Sequence, residues 1–153
     1  MPKLNLPNIQ AQIRTCDDGV TRIYDPLRRK FVALTPEEWV RQHFTAYMID
    51  HCGYPSGLMA NEVSIKLNDT LKRCDTVLFD MARRPMLIVE YKAPHIAITQ
   101  RVFDQIVRYN MVLKARMVVV SNGLSHYCCE IDYSNHTYRF AERLPQWQEW
   151  SEQ

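Results

Sequence analysis

Residues 86–89 are all apolar, and the charged residues Glu90 and Lys92 follow this run almost directly. A short segment that is apolar on both faces is typical of a central strand, covered on each side by other elements. Glu90 and Lys92 are two residues apart, so on a strand their side chains leave the same face. Because charges at the end of a buried strand need partners, this segment predicts a sheet with a polar site near its centre.

The flanking segments predict the elements around that strand. Thr35 and Pro36 are typical of a helix start, and apolar residues at helical spacing extend the helix to about residue 50. Further patterns predict strands at 61–67, 73–79, 116–121, 124–131 and 137–140, a helix at 99–113, a hairpin of 21–25 with 29–34, and irregular structure over 1–20. Short connections predict an antiparallel meander of three strands, and the second helix is expected to be a crossover.

Composition limits the classes of protein that the chain resembles. Its 153 residues predict one domain over 1–153, and an apolar share of 46% is enough for a core. No stretch approaches the roughly 18 to 20 apolar residues that cross a bilayer, and no apolar signal segment is visible at the N-terminus. A cytoplasmic protein without a membrane partner is therefore expected. The net charge of +2 does not by itself mark a nucleic-acid binder.

Asp75 is the carboxylate that the predicted meander brings to Glu90. It lies near the start of one strand, which faces the end of the next strand in an antiparallel hairpin. Two carboxylates give hard oxygen ligands for Mg²⁺ or Mn²⁺, and Lys92 can position or deprotonate a water molecule or pair with a phosphate. The alternative is a surface ion pair, which is what most Glu-x-Lys pairs on strands are.

Gln105 and Tyr109 form a second pattern, on the predicted crossover helix. They are four residues apart and therefore share one face, which a helix following the Glu90 strand can direct at the site. Gln105 could then hold a water molecule or contact a phosphate, and Tyr109 could bond to substrate or to Lys92. The alternative for Tyr109 is a core aromatic whose hydroxyl reaches the rim.

Taken together, Asp75, Glu90-x-Lys92 and Gln105-x-x-x-Tyr109 resemble the PD-(D/E)xK nuclease superfamily. More narrowly, residues 34–141 resemble the N-terminal nuclease domain of type I restriction enzyme R subunits, in a small stand-alone bacterial form. The resemblance implies an α/β, restriction-endonuclease-like core, a central mixed β-sheet flanked by helices in the order αβββαβ.

The same resemblance implies roles for individual residues. Asp75 and Glu90 would be metal ligands, Lys92 the catalytic lysine, and Gln105 with Tyr109 the accessory motif. A glutamate from the first helix often joins such sites, and Glu38 is the choice here, with Glu37 or Glu62 as alternatives. The arginines Arg73, Arg101 and Arg108 are candidates for contacts with phosphates.

Two departures from the family pattern narrow the expected function. Cys74 replaces the proline before Asp75, and no G-x-x-x-x-G-K loop is present, so no nucleoside triphosphate is expected. The expected activity is metal-dependent hydrolysis of DNA phosphodiesters, in restriction or DNA repair, with a homodimer as the arrangement that would cut both strands. The alternatives are a catalytically silent nucleic-acid-binding or assembly module, and a generic α/β domain with a surface ion-pair cluster.

Overall fold

A computed structural model of the chain describes residues 1–151, with side chains as far as Trp150. Within this range the strands form two separate sheets. The smaller sheet is antiparallel and contains β1 (Ile13–Thr15), β2 (Thr21–Asp25) and β3 (Lys30–Ala33). The larger sheet contains β4 (Met59–Leu67), β5 (Thr70–Phe79), β6 (Pro85–Tyr91), β7 (Met117–Ser121), β8 (His126–Asp132) and β9 (Thr137–Ala141). The helices are α1 (Pro36–Asp50), α2 (Gln100–Met111) and α3 (Trp147–Ser151), with a short 3₁₀ turn at Ser56–Leu58.

The six strands of the larger sheet lie in chain order from β4 to β9. β4, β5 and β6 form an antiparallel meander, and α2 then crosses over to place β7 parallel to β6. β8 and β9 continue the sheet as antiparallel hairpins. The predicted α/β class, the mixed sheet and the order of helix, three strands, helix and strand are therefore confirmed.

The two long helices cover opposite faces of this sheet. Phe44 of α1 lies in one apolar cluster with Val119 of β7, and Phe103 of α2 lies in another with Val118. Neighbouring residues of a strand point to opposite faces, so β7 is covered on both sides and all its residues are buried. The central strands therefore sit where the sequence places its longest apolar runs.

Side-chain contacts join the smaller sheet to the start of α1 and to the larger sheet. Thr35 caps the helix by accepting a hydrogen bond from the backbone N–H of Glu38 at 3.0 Å. The Arg28 guanidinium, in the turn between β2 and β3, bonds to the Glu38 carboxylate at 2.6 Å. Asp25 of β2 accepts a hydrogen bond from Asn61 of β4 at 3.1 Å.

Two elements differ from the prediction. β1 lies within the segment expected to be irregular; all its residues are exposed, so it has no apolar alternation to reveal it. α3 was not expected, because its length of five residues is too short for a helical pattern to repeat. None of the helices within residues 1–151 has the length and apolar character needed to cross a membrane.

Gly123 lies in the turn between β7 and β8, as the Asn122-Gly123 pair predicts. Its φ of +84° falls in the left-handed region, and its carbonyl accepts a hydrogen bond from the N–H of Asn5 at 2.8 Å. A Cβ at this position would lie 2.8 Å from Leu4 and 3.2 Å from Val40. The turn therefore requires glycine both for its backbone and for its close packing.

We expect Gly123→Ala to lower the free energy of unfolding through both effects, by about 1–2 kcal/mol for the backbone and about 1–3 kcal/mol for overpacking. Gly19→Ala is the matched control for the backbone effect, since Gly19 has a φ of +78° but open space around it. Gly57→Ala has neither constraint. Urea unfolding of the three variants measures the difference, and an equal loss for Gly123→Ala and Gly19→Ala would contradict the packing argument.

Candidate metal-binding active site

The site lies where β5 and β6 separate. The last paired residues at this end of the ladder are Thr76 and Val89, so Asp75 and Glu90 lie opposite each other one step beyond it. The next backbone N–H of β6, that of Tyr91, donates to the Asp75 carboxylate at 2.8 Å. The side chain of Asp75 thus replaces a backbone acceptor, which holds its carboxylate beside the end of β6.

Glu90 is the most perturbed acid at this point. Burial raises the pKa of its carboxyl to about 9, together with the charge of Asp75 and a hydrogen bond to it, while Asn110 opposes this shift. One oxygen, Oε1, is buried and has no hydrogen-bond partner among the described residues. A buried carboxylate oxygen without a partner is costly, so this position favours a proton or a cation.

A pocket of about 180 Å³ opens at Glu90. It is lined by Arg73, Glu90, Gln105, Ile106, Tyr109 and Asn110. The structure therefore brings three of the predicted accessory residues, Arg73, Gln105 and Tyr109, to the same place as Glu90. Tyr109 is exposed over 43% of its surface, and the Lys72 ammonium lies 4.1 Å from its ring centroid. Arg108 and Arg101 are exposed on α2 but do not line this pocket.

Lys92 lies one residue past the end of β6. Its backbone N–H donates to the carbonyl of Ser121 at 2.9 Å, so the parallel pairing of β6 with β7 fixes its main chain. The residue is half-buried, and its ammonium takes part in none of the ion pairs found within the described part of the chain. Its charge is therefore not neutralised by a structural partner.

Glu38, the helix glutamate predicted to join the ligand set, is engaged by arginines. Glu38 is buried, but its carboxylate pairs with Arg28 at 2.6 Å and with Arg41 at 3.2 Å. The alternative Glu62 pairs with Arg41 and Arg73 at 2.5 and 2.8 Å, and the alternative Glu37 is exposed. Up to Trp150, no group of three or more His, Cys, Asp or Glu side chains could hold a metal ion. The carboxylates that do meet are a pair.

Arg41 is a residue that the sequence analysis missed. Its guanidinium is buried, donates to the backbone carbonyl of Asp75 at 2.5 Å, and lies 5.5 Å from the ring centroid of Tyr91. Two of the candidate metal ligands, Glu38 and the alternative Glu62, pair with this cation instead. Its signal was a charge on the apolar stripe of α1, three residues before Phe44 and seven before Met48.

Asn110 is the second missed residue. It is fully buried at the base of the pocket, and its side-chain N–H donates to the carbonyl of Ile106 at 2.9 Å. Its signal in the sequence was its position. It is a polar residue near the end of an amphipathic helix, directly after Tyr109, which the helical spacing had selected.

A model of the family described as type I restriction enzyme R protein N terminus matches residues 36–145, which is most of the chain. The chain belongs to this family. No curated protein matches its sequence significantly.

A solved structure supports the fold of this family member. It is a fragment structure described as that of an HsdR subunit of a type I restriction enzyme from Vibrio vulnificus YJ016, with a TM-score of 0.51 and 20% sequence identity. The similarity covers 74% of this chain and 24% of that one, so the chain spans about a quarter of the neighbour's length. The resemblance to R-subunit N termini and the restriction-endonuclease-like fold class are thereby confirmed.

The residues of this family member fit a divalent cation. Asp75 and Glu90 supply hard carboxylate oxygens, and Oε1 of Glu90 is buried with no hydrogen-bond partner in residues 1–150. A cation would also offset the burial and the repulsion from Asp75 that raise the pKa of Glu90. The fit rests on these two side chains and does not need Glu38.

We expect the stability of the metal-free protein to fall as pH rises from about 5 to 9. Over this range Glu90 keeps its proton in the folded protein, whereas in the unfolded chain it loses the proton near pH 4.5. The free energy of unfolding therefore falls, by at most about 1.4 kcal/mol per pH unit. Glu90→Gln should flatten the dependence, whereas Glu37→Gln, at an exposed position of α1, should leave it unchanged. Urea unfolding in EDTA measures it, and an equally steep curve for Glu90→Gln would exclude this carboxyl as its source.

Proposed function

We propose that this chain is a metal-dependent nuclease of the PD-(D/E)xK type, which hydrolyses phosphodiester bonds in DNA. The observation that carries the proposal is the Glu90 carboxylate beside Asp75, at the end of a central strand and open to a pocket; one of its oxygens is buried and has no hydrogen-bond partner among the described residues. Membership in a family named for the R protein of type I restriction enzymes supports DNA as the substrate.

Asp75 and Glu90 would hold Mg²⁺ or Mn²⁺. When bound, such an ion lowers the pKa of a coordinated water molecule and stabilises negative charge that develops on the phosphoryl group. The backbone of the chain prepares this site, because the N–H of Tyr91 orients the carboxylate of Asp75. The ladder with β5 stops beside Glu90, where the pocket opens.

The other site residues act on the water molecule and the phosphate. Lys92 follows Glu90 by two residues and forms no ion pair with the acids that the structure describes, so its ammonium is available to orient the attacking water or to pair with the phosphate. Gln105 and Tyr109 line the pocket and offer hydrogen bonds to the substrate. Arg73 contributes positive charge at the same opening.

Metal binding tests the ligand pair directly. We expect Asp75→Asn to weaken Mn²⁺ binding by more than about 100-fold, since the loss of even outer-shell partners of a metal costs about 10- to 100-fold. Isothermal titration with Mn²⁺ measures the affinity. Asp50→Asn, at an exposed position at the end of α1, is the matched control. Equal affinities for the wild type and Asp75→Asn would remove Asp75 from the site.

Cleavage tests the reaction. With Mg²⁺ or Mn²⁺, we expect the wild type to cut DNA and Lys92→Ala to be slower by about 100- to 10,000-fold, the range for loss of a proton-transferring or orienting group. Lys3→Ala, at an exposed position, is the control for loss of a lysine charge. Supercoiled plasmid, linear duplex and single-stranded DNA should be compared by gel analysis, because nicked and linear products separate cutting of one strand from cutting of both by a homodimer.

Two outcomes would contradict the proposal. Cleavage that persists at the wild-type rate in Lys92→Ala would exclude the assigned role of the lysine. Failure of the wild type to cut any of these substrates, although it binds DNA, would favour the silent binding module with the same fold.

A further inference from the structure

The outer half of the hairpin formed by β4 and β5 projects beyond the rest of the sheet. Residues 63–74, called the β4–β5 arm, pair only with each other, from Val63 with Cys74 to Leu67 with Thr70. β6 pairs with β5 only from Thr76 onward. The arm is therefore a two-stranded ribbon that starts where Asp75 and Glu90 meet.

The two faces of the arm have different surroundings. Val63 and Ile65 belong to the face that packs with Leu113, beyond the end of α2, and this contact fixes the direction of the arm. The pairing places Ser64, Lys66, Leu71 and Arg73 on the opposite face. These four residues are exposed, and Leu71, an aliphatic side chain, is exposed over 66% of its surface.

The arm is basic and continuous with the candidate site. Lys66 and Lys72 appear in none of the ion pairs within the described residues, and Asp69, in the turn at the tip, is the acid of the segment. Arg73 pairs with Glu62, yet its side chain is 73% exposed and lines the pocket at Glu90. Positive charge thus runs from the pocket along the arm.

We propose that the β4–β5 arm binds duplex DNA by lying in a groove of the duplex, next to the bond to be cut. This deepens, and rests on, the proposed nuclease function. A two-stranded ribbon fits the major groove, which is about 12 Å wide. Lys66 and Arg73 would contact phosphates, and Leu71 would contact the edges of bases or sugars. A single strand has no groove, so the arm makes the site favour duplex over single-stranded DNA.

The experiment compares two double variants in a Lys92→Ala background with Mg²⁺, so that binding is measured without the proposed lysine-dependent cleavage. Lys66→Ala with Leu71→Ser changes the exposed face of the arm. Lys30→Ala with Ile13→Ser makes the same changes on exposed positions of the smaller sheet and is the matched control. Fluorescence anisotropy with one labelled strand, alone and annealed to its complement, gives both affinities, and thermal melting checks that the variants are folded.

We expect the arm variant to bind duplex about tenfold more weakly, with a salt slope reduced by about one. Its affinity for the single strand should stay within about twofold, and the control variant should match its parent on both DNAs. Unchanged duplex affinity would overturn the proposal, and so would equal losses on duplex and single strand. A wild-type dimer that Leu71→Ser dissociates, measured by light scattering, would also overturn it, because the arm would then bind a second copy.

The two proposals fail in distinguishable ways. If the wild type cuts DNA but the arm variant binds duplex normally, the arm proposal fails and the nuclease proposal stands. If no substrate is cut, yet the arm variant loses duplex binding alone, the nuclease proposal fails and the arm remains a duplex-binding element.

Discussion

The buried guanidinium of Arg41 is the interaction on which the rest of the site depends. It reaches Glu38 on its own helix, Glu62 on β4 and the carbonyl of Asp75 on β5, so three elements converge on one cation. A planar guanidinium suits this task, because its five donors are fixed in a fork that reaches partners on different elements, whereas a lysine ammonium is a compact point charge. The two acids neutralise the charge, and the carbonyl contact fixes the main chain that carries a proposed metal ligand.

The polar groups on the two faces of the larger sheet differ in their hydrogen bonding. On the α1 side, Tyr91 donates to Thr76, and Thr76 donates to Asn61, which in turn donates to Asp25 of the smaller sheet. These groups are satisfied by one another, which is what rigid buried networks require. On the α2 side, one carboxylate oxygen of Glu90 has no hydrogen-bond partner within the part of the chain that the structure describes. Polar groups on one face therefore hold the strands, and those on the other remain available for chemistry.

The sequence predicted those parts of the site that follow from periodicity and short connections. Asp75 and Glu90 meet because the short connection 80–84 makes their strands antiparallel neighbours, although a bulge between Leu78 and Phe79 shifts the register. Gln105 and Tyr109 share a pocket wall because helical spacing puts them on one face. The partners of long charged side chains could not be predicted in this way. Glu38 pairs with Arg28 and Arg41 and not with the site at Asp75. This pairing depends on how α1 packs and on the turn that carries Arg28, ten residues earlier in the chain. The short exposed strand β1 forms only through tertiary pairing.

The contacts of residues 1–35 bear on where the functional unit begins. The family match starts at residue 36, yet Asp25 and Arg28 hold Asn61 and Glu38. Leu4 packs against Gly123, in the turn that follows Ser121, and the carbonyl of Ser121 accepts the N–H of Lys92. The family match therefore begins later in the chain than the contacts that support the site. A fragment that starts at residue 36 would keep every proposed catalytic side chain but lose the contacts of residues 1–35 that hold the surrounding elements in place.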